Sequence, residues 1–557
     1  MKHKKISGKK LYLIAFLIIW VVQMAAAFYF CTQKQGFHED EYYTYYSTAR
    51  TNGFYVENGQ WMDRDTYRNE FVVLPEQRFQ YGLVKLVQSW DVHPPMYYWV
   101  FHTAASFVPG VFSKWIGLSV NLFFHGINII LLTYLSYLVT ERDGKLSLYV
   151  SLFWGLSCAV VSGVVFVRMY EMLSTFVLLC AILHVHAVKK NEAKISVLKT
   201  LVPMAVVTYL GFLTQYYYFI FLVFIGIAFC VWLLWRDKNI WNCVRYGIGQ
   251  GVAFVLAYLT YPSCLGQMFR GQRGAQATEN FFDLSNTIDR IRFFYDLMNR
   301  FAFGHLLSVL LLFILIFAAA VYRWGGIAVK DEREQTDGVS LELHGSRLGA
   351  GFWILTFASA GYFVTVSKTA LLLGDTSNRY QLPIYGIVVI VTFMAVCRLW
   401  RVLSAGCARN SKYGKYVKCA EATAAVLGLA AVLLGHWNEG VVFLYPEDRD
   451  QIAFAKECAE RGTPAVYLYQ PGEEWCIWDV ADELLMYPKV YFAAADGGSV
   501  DRLDDAEIQN ADSLVVYIAV GADLTEQTMR VAASDNLKSG YCTEVFAEKY
   551  CDVWYFE

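Results

Sequence analysis

Eleven runs of mostly apolar residues, several of them about 20 residues long, recur along this chain. Inside a bilayer no water satisfies backbone N–H and C=O groups, so such a run must be a helix that closes its own hydrogen bonds. The runs cover residues 11–31, 113–140, 146–167, 170–188, 200–214, 216–235, 244–261, 303–322, 350–367, 382–397 and 422–434. The polar stretch between 261 and 303 is expected as a long loop. Only 17% of the 557 residues are charged, against about 25% in soluble domains. That excludes an ordinary soluble enzyme, a disordered chain and a nucleic-acid binder. The expected fold is mainly α, a polytopic membrane helical bundle of about 11 spans.

Charge orients the bundle. Lys2, Lys4, Lys5, Lys9 and Lys10 precede the first run and hold that end in the cytoplasm by the positive-inside rule. Ala25-Ala26-Ala27 offers a second reading, a cleaved signal peptide, which leaves the next segment outside all the same. With eleven spans the basic loops all fall inside: Lys189, Lys190, Lys194 and Lys199, then Arg236, Lys238 and Arg245, then Arg398, Arg401, Arg409, Lys412, Lys415 and Lys418. The net charge of −2 hides an acidic tail, since residues 438–557 hold 8 Lys+Arg against 24 Asp+Glu.

Four regions follow. Residues 1–31 are a cytoplasmic leader and first span, and 113–435 are the membrane bundle. Residues 32–112 are an extracytoplasmic loop with interfacial helices, because 72–90 and 94–109 are amphipathic or broken by proline. Residues 436–557 are a soluble, extracytoplasmic α/β domain. In that tail, β-rich runs at 465–469, 490–493, 514–519 and 553–556 alternate with helical patterns at 452–460, 477–485, 504–511 and 524–537. The alternation predicts a mostly parallel sheet. Cys458, Cys476, Cys542 and Cys551 allow three disulfide pairings.

Polar clusters recur at the predicted outer face. His38-Glu39-Asp40-Glu41 places three carboxylates just past the first span. Mutual repulsion can raise the pKa of one, which suits a general base, although a solvated acidic patch reads equally plainly. Asp91-Val92-His93-Pro94-Pro95 looks like a helix start, which accounts for Asp91 and the prolines but not for His93. Arg168-Met169-Tyr170 and Arg379-Tyr380 follow between later spans. An interfacial arginine often only snorkels, but two at one mouth can hold a phosphate bidentately. Gln215-Tyr216-Tyr217-Tyr218-Phe219 reads as an aromatic belt or as a sugar-facing or isoprenoid-facing wall. His125, Asn121 and Asn128 suit interhelical hydrogen bonds. There is no metal-ligand spacing, though the loop acids could recruit a divalent cation without one.

Taken in order over roughly residues 10–400, these motifs resemble the GT-C superfamily of glycosyltransferases. Within it the chain is similar to the bacterial type of the family 39-like branch, which holds protein O-mannosyltransferases and aminoarabinose transferases. The resemblance is carried by Asp40-Glu41, by Asp91-x-His93-Pro94-Pro95-Met96-Tyr97-Tyr98 and by Arg168-Met169-Tyr170. Gly211-Phe212-Leu213-Thr214-Gln215-Tyr216 and Arg379-Tyr380 with Pro383 complete the set. It implies a GT-C fold and a polyprenyl-phosphate sugar donor at the outer leaflet. It implies Asp40 as the base of an inverting transfer, Glu41 and Asp91 as its orienting groups, and His93 on phosphate or sugar. Arg168 and Arg379 would stabilise the lipid phosphate, with Tyr170, Gln215, Tyr216 and Tyr380 binding substrate. Protein O-mannosyltransferases continue His-Pro-Pro with Leu-Gly-Lys, whereas Met96-Tyr97-Tyr98 stands here. The acceptor is accordingly open among a glycan, a lipid and a protein. Two other classes compete, a transporter or flippase and a scaffold that displays the acidic tail.

Overall fold

The computed structural model describes residues 8–49, 55–334, 348–408, 411–495, 503–534 and 541–557. Lys2, Lys4, Lys5 and Arg409 lie outside these. The fold is a helical membrane bundle with a small sheet domain at one end. Eight helices are long and apolar enough to span alone: Lys9–Gln33, Lys114–Val139, Tyr170–Lys190, Val197–Thr214, Tyr217–Asp237, Ala350–Thr369, Leu382–Val402 and Lys415–Asn438. Three helix pairs, each bent at a short break, bring the count among the described residues to as many as eleven if each pair is one span. They are Gly144–Gly155 with Cys158–Val165 at 56°, Trp241–Thr260 with Ser263–Phe269 at 103°, and Thr287–Ala302 with Leu307–Ala320 at 102°.

Two of the breaks correct the sequence reading. The run at 303–322 is not straight from its first residue. Gly304 and His305 take left-handed backbone (φ +54° and +66°) and turn the chain before Leu307. A side chain at Gly304 would meet the Ala431 carbonyl oxygen at 2.5 Å, so the last span packs on bare backbone there. The stretch taken as a long polar loop is also helical, in pieces at Ser263–Phe269, Gln272–Phe282 and Thr287–Leu297. Pro262 lacks an N–H and cuts off the preceding helix. Beyond it Phe269, Phe281, Phe282 and Leu284 stay exposed beside Arg270 and Arg273, the pattern of helices lying along a membrane surface.

Helix Tyr170–Lys190 begins beside Arg168 and ends at Lys189 and Lys190, and Leu382–Ala408 begins beside Arg379 and runs past Arg398 and Arg401. The two arginine motifs therefore share one end of the bundle and the basic loops share the other.

At the arginine end, residues 32–112 form the helices Glu39–Ala49, Tyr81–Gln88 and Met96–Ser106 and the strand β1 (Gln60–Asp63). β1 joins the tail's sheet, made of β2 (Ala465–Tyr469), β3 (Lys489–Ala494), β4 (Leu514–Ala519), β5 (Cys542–Ala547) and β6 (Cys551–Phe556). The order is β1-β3-β2-β4-β6-β5. Only the β2–β3 and β2–β4 pairs are parallel, so the sheet is mixed rather than mostly parallel. β5 escaped notice because it is a half-exposed edge with a bulge at Glu544/Phe546, and β1 because its partner lies over 400 residues away. The four tail cysteines are free thiols. Cys542 and Cys551 stand at opposite ends of the β5–β6 ladder, which keeps them apart.

Loop and tail form one body. Trp478 packs on Tyr43, Tyr46 and Phe71, the Tyr67 hydroxyl donates to the Ile477 carbonyl at 3.2 Å, and Arg64 Nε donates to the Tyr487 carbonyl at 2.9 Å. Gly304→Ala should destabilise the bundle by about 1–3 kcal/mol, through the left-handed φ and the contact with Ala431. Thermal unfolding in detergent reads this, and an unchanged midpoint would refute the packing argument.

Candidate active site

Helix Glu39–Ala49 begins with three acids, and its start is fixed from below. Glu41 is fully buried. Its Oε2 accepts from Lys34 Nζ at 2.9 Å and from the His38 N–H at 2.7 Å, and its Oε1 accepts from the Val167 N–H at 2.7 Å. Lys34 is equally buried and also donates to the Phe443 carbonyl at 2.8 Å. Glu41 thus ties the helix start to the loop that bears Arg168 and turns away from the open face.

Asp40 points the other way and is 28% exposed. Its Oδ2 lies 3.1 Å from Arg379 Nη2, and its Oδ1 lies 3.7 Å from Arg168 Nη2. Burial pushes the carboxyl up, but the Arg168 and Arg379 guanidiniums, with smaller contributions from His38 and His93, outweigh it and hold Asp40 well below the usual carboxylate range. Burial, followed by nearby cations, lowers His38 to about 3 despite Asp40. The neutral ring then accepts the Asp40 N–H on Nδ1 at 3.1 Å.

Arg168 has both Nη atoms engaged. Nη1 donates to the Asp40 carbonyl (2.9 Å), the Thr44 hydroxyl (3.2 Å) and the Tyr98 hydroxyl (3.1 Å). Nη2 lies 3.4 Å from His93 Nε2, and His93 Nδ1 lies 3.3 Å from Asp91 Oδ2. With the proton on Nδ1, His93 donates to Asp91 and accepts from Arg168. Burial raises the Asp91 carboxyl, and His93 and Arg168 more than offset it, leaving it lowered.

Arg379 is different. It is as buried as Arg168, yet only Nη2 has partners, Asp40 and the Tyr380 hydroxyl at 3.3 Å. Its Nε and Nη1 are buried without a hydrogen-bond partner. The guanidinium lies 5.1 Å from the Phe166 and Tyr380 ring centres. Phe166 stacks on Phe443 at 4.0 Å and on Tyr170 at 6.0 Å, while Tyr170 and Tyr217 meet Tyr380 edge-on at 6.0 Å.

Asp40, Asp91, His93, Arg168 and Arg379 therefore come together, with Tyr170 and Tyr380 as their wall. Gln215 and Tyr216 stand behind it. Gln215 Oε1 accepts the Tyr217 N–H at the start of a span, and the Tyr216 hydroxyl donates to Gln267 Oε1 at 2.5 Å. Gln267 Nε2 in turn donates to the Asp91 carbonyl at 2.6 Å. Sequence reasoning missed Thr44, Gln267, Lys34, Phe166 and Phe443. Thr44 is one helical turn beyond Asp40 and could have been found, but Phe443 carries no local signal. Among the described residues, no three His, Cys, Asp or Glu side chains are grouped to hold a metal ion.

Behind the site the tail brings more acids together. Burial and neighbouring carboxylates raise Asp448 to about 8 and Glu548 to about 7, and burial raises Asp479 and Asp482 to about 6 each. Asp448 fits only because residue 36 is glycine, where a Cβ would lie 1.5 Å from its Oδ2.

No protein-family model and no curated protein sequence matches the chain. Solved structures do. ArnT from Cupriavidus metallidurans bound to undecaprenyl phosphate is 10% identical, with a TM-score of 0.49 over 98% of this chain and 97% of that one. The same protein in its apo state is 11% identical, with a TM-score of 0.47 over 99% and 98%. The archaeal oligosaccharyltransferase AglB from Archaeoglobus fulgidus, in complex with an inhibitory peptide and a dolichol-phosphate, is 10% identical. Its TM-score is 0.44 over 95% of this chain and 71% of that one.

The raised carboxyls set a pH dependence. Each binds its proton more tightly folded than unfolded, so their stabilisation is complete below the ordinary carboxyl range and is lost as pH rises from about 4 to about 8. The thermal midpoint should fall across that window. Asp448→Asn should flatten its upper part, and a variant curve parallel to the wild type would contradict this.

Proposed function

We propose that this chain is an integral membrane glycosyltransferase that moves a sugar from a polyprenyl-phosphate donor to an acceptor hydroxyl outside the cytoplasm, with inversion. One observation carries the reading. A buried arginine, 3.1 Å from a carboxylate, keeps two guanidinium nitrogens unpartnered. Buried donors without partners are costly, so they await an acceptor. Nε and Nη1 lie on different sides of the guanidinium, and a phosphate, with several free oxygens, is the chemistry these separate donors suit best.

The reaction follows from the charges. Asp40 takes the proton of the acceptor hydroxyl. The oxygen attacks the anomeric carbon, the bond from that carbon to the phosphate oxygen breaks, and the lipid phosphate leaves with the electron pair. It leaves as an anion and needs charge stabilisation rather than a proton, which Arg379 Nε and Nη1 supply. Arg168 holds the Asp40 carbonyl and carboxylate in place and is itself oriented through His93 and Asp91. In the free site Asp40 is too acidic to be an effective base. Phosphate at Arg379 adds a negative charge and takes up its cationic edge, which raises Asp40 toward a useful range. A polyprenyl carrier cannot leave the bilayer, so its sugar waits at headgroup level. The site lies at the end of the spans, beneath a sheet domain, a place that suits such a donor.

The positive-inside rule places the basic loops in the cytoplasm and the site with its acidic tail outside. The acceptor is a glycan, lipid or protein that reaches the cleft under the tail.

Asp40→Asn should lower the turnover rate by about 10²–10⁴-fold. The protein should still bind undecaprenyl phosphate in native mass spectrometry, because Arg379 then loses its competing carboxylate. Arg379→Gln should weaken that binding about 10–100-fold. Undiminished transfer by Asp40→Asn would remove the base from the mechanism.

A further inference from the structure

Arg379 sits at the end of a short 3₁₀ turn, Gly374–Tyr380, between two spans. The inner side of this turn is held locally. The Ser377 hydroxyl donates to the Leu371 carbonyl at 3.0 Å, the Tyr385 hydroxyl donates to Asn378 Oδ1 at 2.5 Å, and the Tyr362 hydroxyl donates to the Tyr380 carbonyl at 3.0 Å. Its outer end is held from a distance. Arg300 lies on the π-turn Met298–Ala302, at the kink of the bent span. Its fork meets Asp375, with Nη1 3.0 Å from Oδ1 and Nη2 3.3 Å from Oδ2. The same guanidinium donates through Nε to Glu439 Oε2 at 2.6 Å, at the end of the last span. Glu439 Oε1 also takes His305 Nε2 at 2.8 Å, and Asp296 Oδ2 lies 3.5 Å from Arg300 Nη1. One arginine thus bridges the kinked span, the turn that bears Arg379 and the final span.

We infer that Arg300 is a positioning residue, which sets where the unpartnered donors of Arg379 point by gripping Asp375 at the other end of the same turn. A 3₁₀ turn rises about 2 Å per residue, so Asp375 and Arg379 lie about 8 Å apart on one short, stiff piece. A shift at one end moves the other. A bidentate pair fixes direction as well as distance, which a lysine or a single hydrogen bond does not. Arg300 is 26% exposed and Asp375 48%, and three carboxylates hold the guanidinium in place. The inference rests on the reading of Arg379 as the phosphate ligand.

The test uses the full chain in nanodiscs, titrated with undecaprenyl phosphate and followed by tryptophan fluorescence and native mass spectrometry. Wild type should bind, and Arg379→Gln should bind far more weakly. Asp375→Asn removes the fork yet leaves the Arg300–Glu439 link intact, so it tests position with the least risk to folding. It should weaken binding about tenfold, the loss of roughly one charge-assisted hydrogen bond, with its thermal midpoint unchanged. Arg300→Gln with Asp375→Asn should be no weaker than Arg300→Gln alone, since both break one linkage. Arg300→Lys, which keeps the charge and loses the fork, should fall between wild type and Arg300→Gln. If Asp375→Asn binds as wild type does while Arg379→Gln does not, Arg300 only braces the bundle. Losses that multiply, or a binding loss that merely follows a lowered thermal midpoint, overturn the inference in the same way. If Arg379→Gln binds like wild type, the phosphate reading itself fails and takes this inference with it.

Discussion

A carboxylate held between two buried guanidiniums is stable only as a group. Remove Asp40 and two cations face each other in a low dielectric; remove either arginine and the desolvated carboxylate loses much of its compensation. The three charges come from three places in the chain, a loop after the first span, a loop between two middle spans and a turn before a late one. Their meeting requires that the spans assemble correctly, and their mutual attraction rewards that assembly.

Around this centre, two layers keep the arginines in place. An aromatic layer of Phe166, Phe443, Tyr170 and Tyr380 backs Arg379 with ring faces and edges, which hold a guanidinium without consuming its donors. Phe443 belongs to the linker between the last span and the sheet domain, and it takes a left-handed φ of +70° to reach the stack. An ionic layer lies outside it, with Lys34–Glu41 beneath the helix start and Arg300 beside the turn. The sheet domain joins in where Lys549 Nζ and the Tyr550 hydroxyl reach Glu39, the neighbour of Asp40. The sheet domain thereby touches the same helix that carries the proposed base.

Much of this was legible in the residues. The apolar runs marked the long spanning helices but not the breaks in the bent pairs, because a lipid-exposed backbone leaves the helix as the only solution for such runs. Asp40, Asp91, His93, Arg168 and Arg379 stood out as polar groups at the ends of apolar runs. What the residues did not disclose is instructive. Glu41 and Asp40 are adjacent and chemically alike, yet successive helix positions face about 100° apart, so one meets Lys34 and the other the open cleft. Nor did the residues disclose that Gln215 holds a helix start and that Tyr216 links through Gln267 to the loop at Asp91. β1 was invisible because a four-residue strand has no meaning without its partner.

The sequence by itself determined the membrane bundle and the kinds of side chain gathered at the ends of its helices. Those follow from the cost of unsatisfied backbone in hydrocarbon and from the cost of charge within it, which act on each segment alone. Only the tertiary structure decided which arginine has both Nη atoms engaged and which keeps Nε and Nη1 unpartnered, which acid is exposed, and which loop lends a strand to the tail's sheet. Those depend on distances of a few ångströms between residues hundreds of positions apart, and hydrogen bonds, ion pairs and strand pairing all turn on such distances.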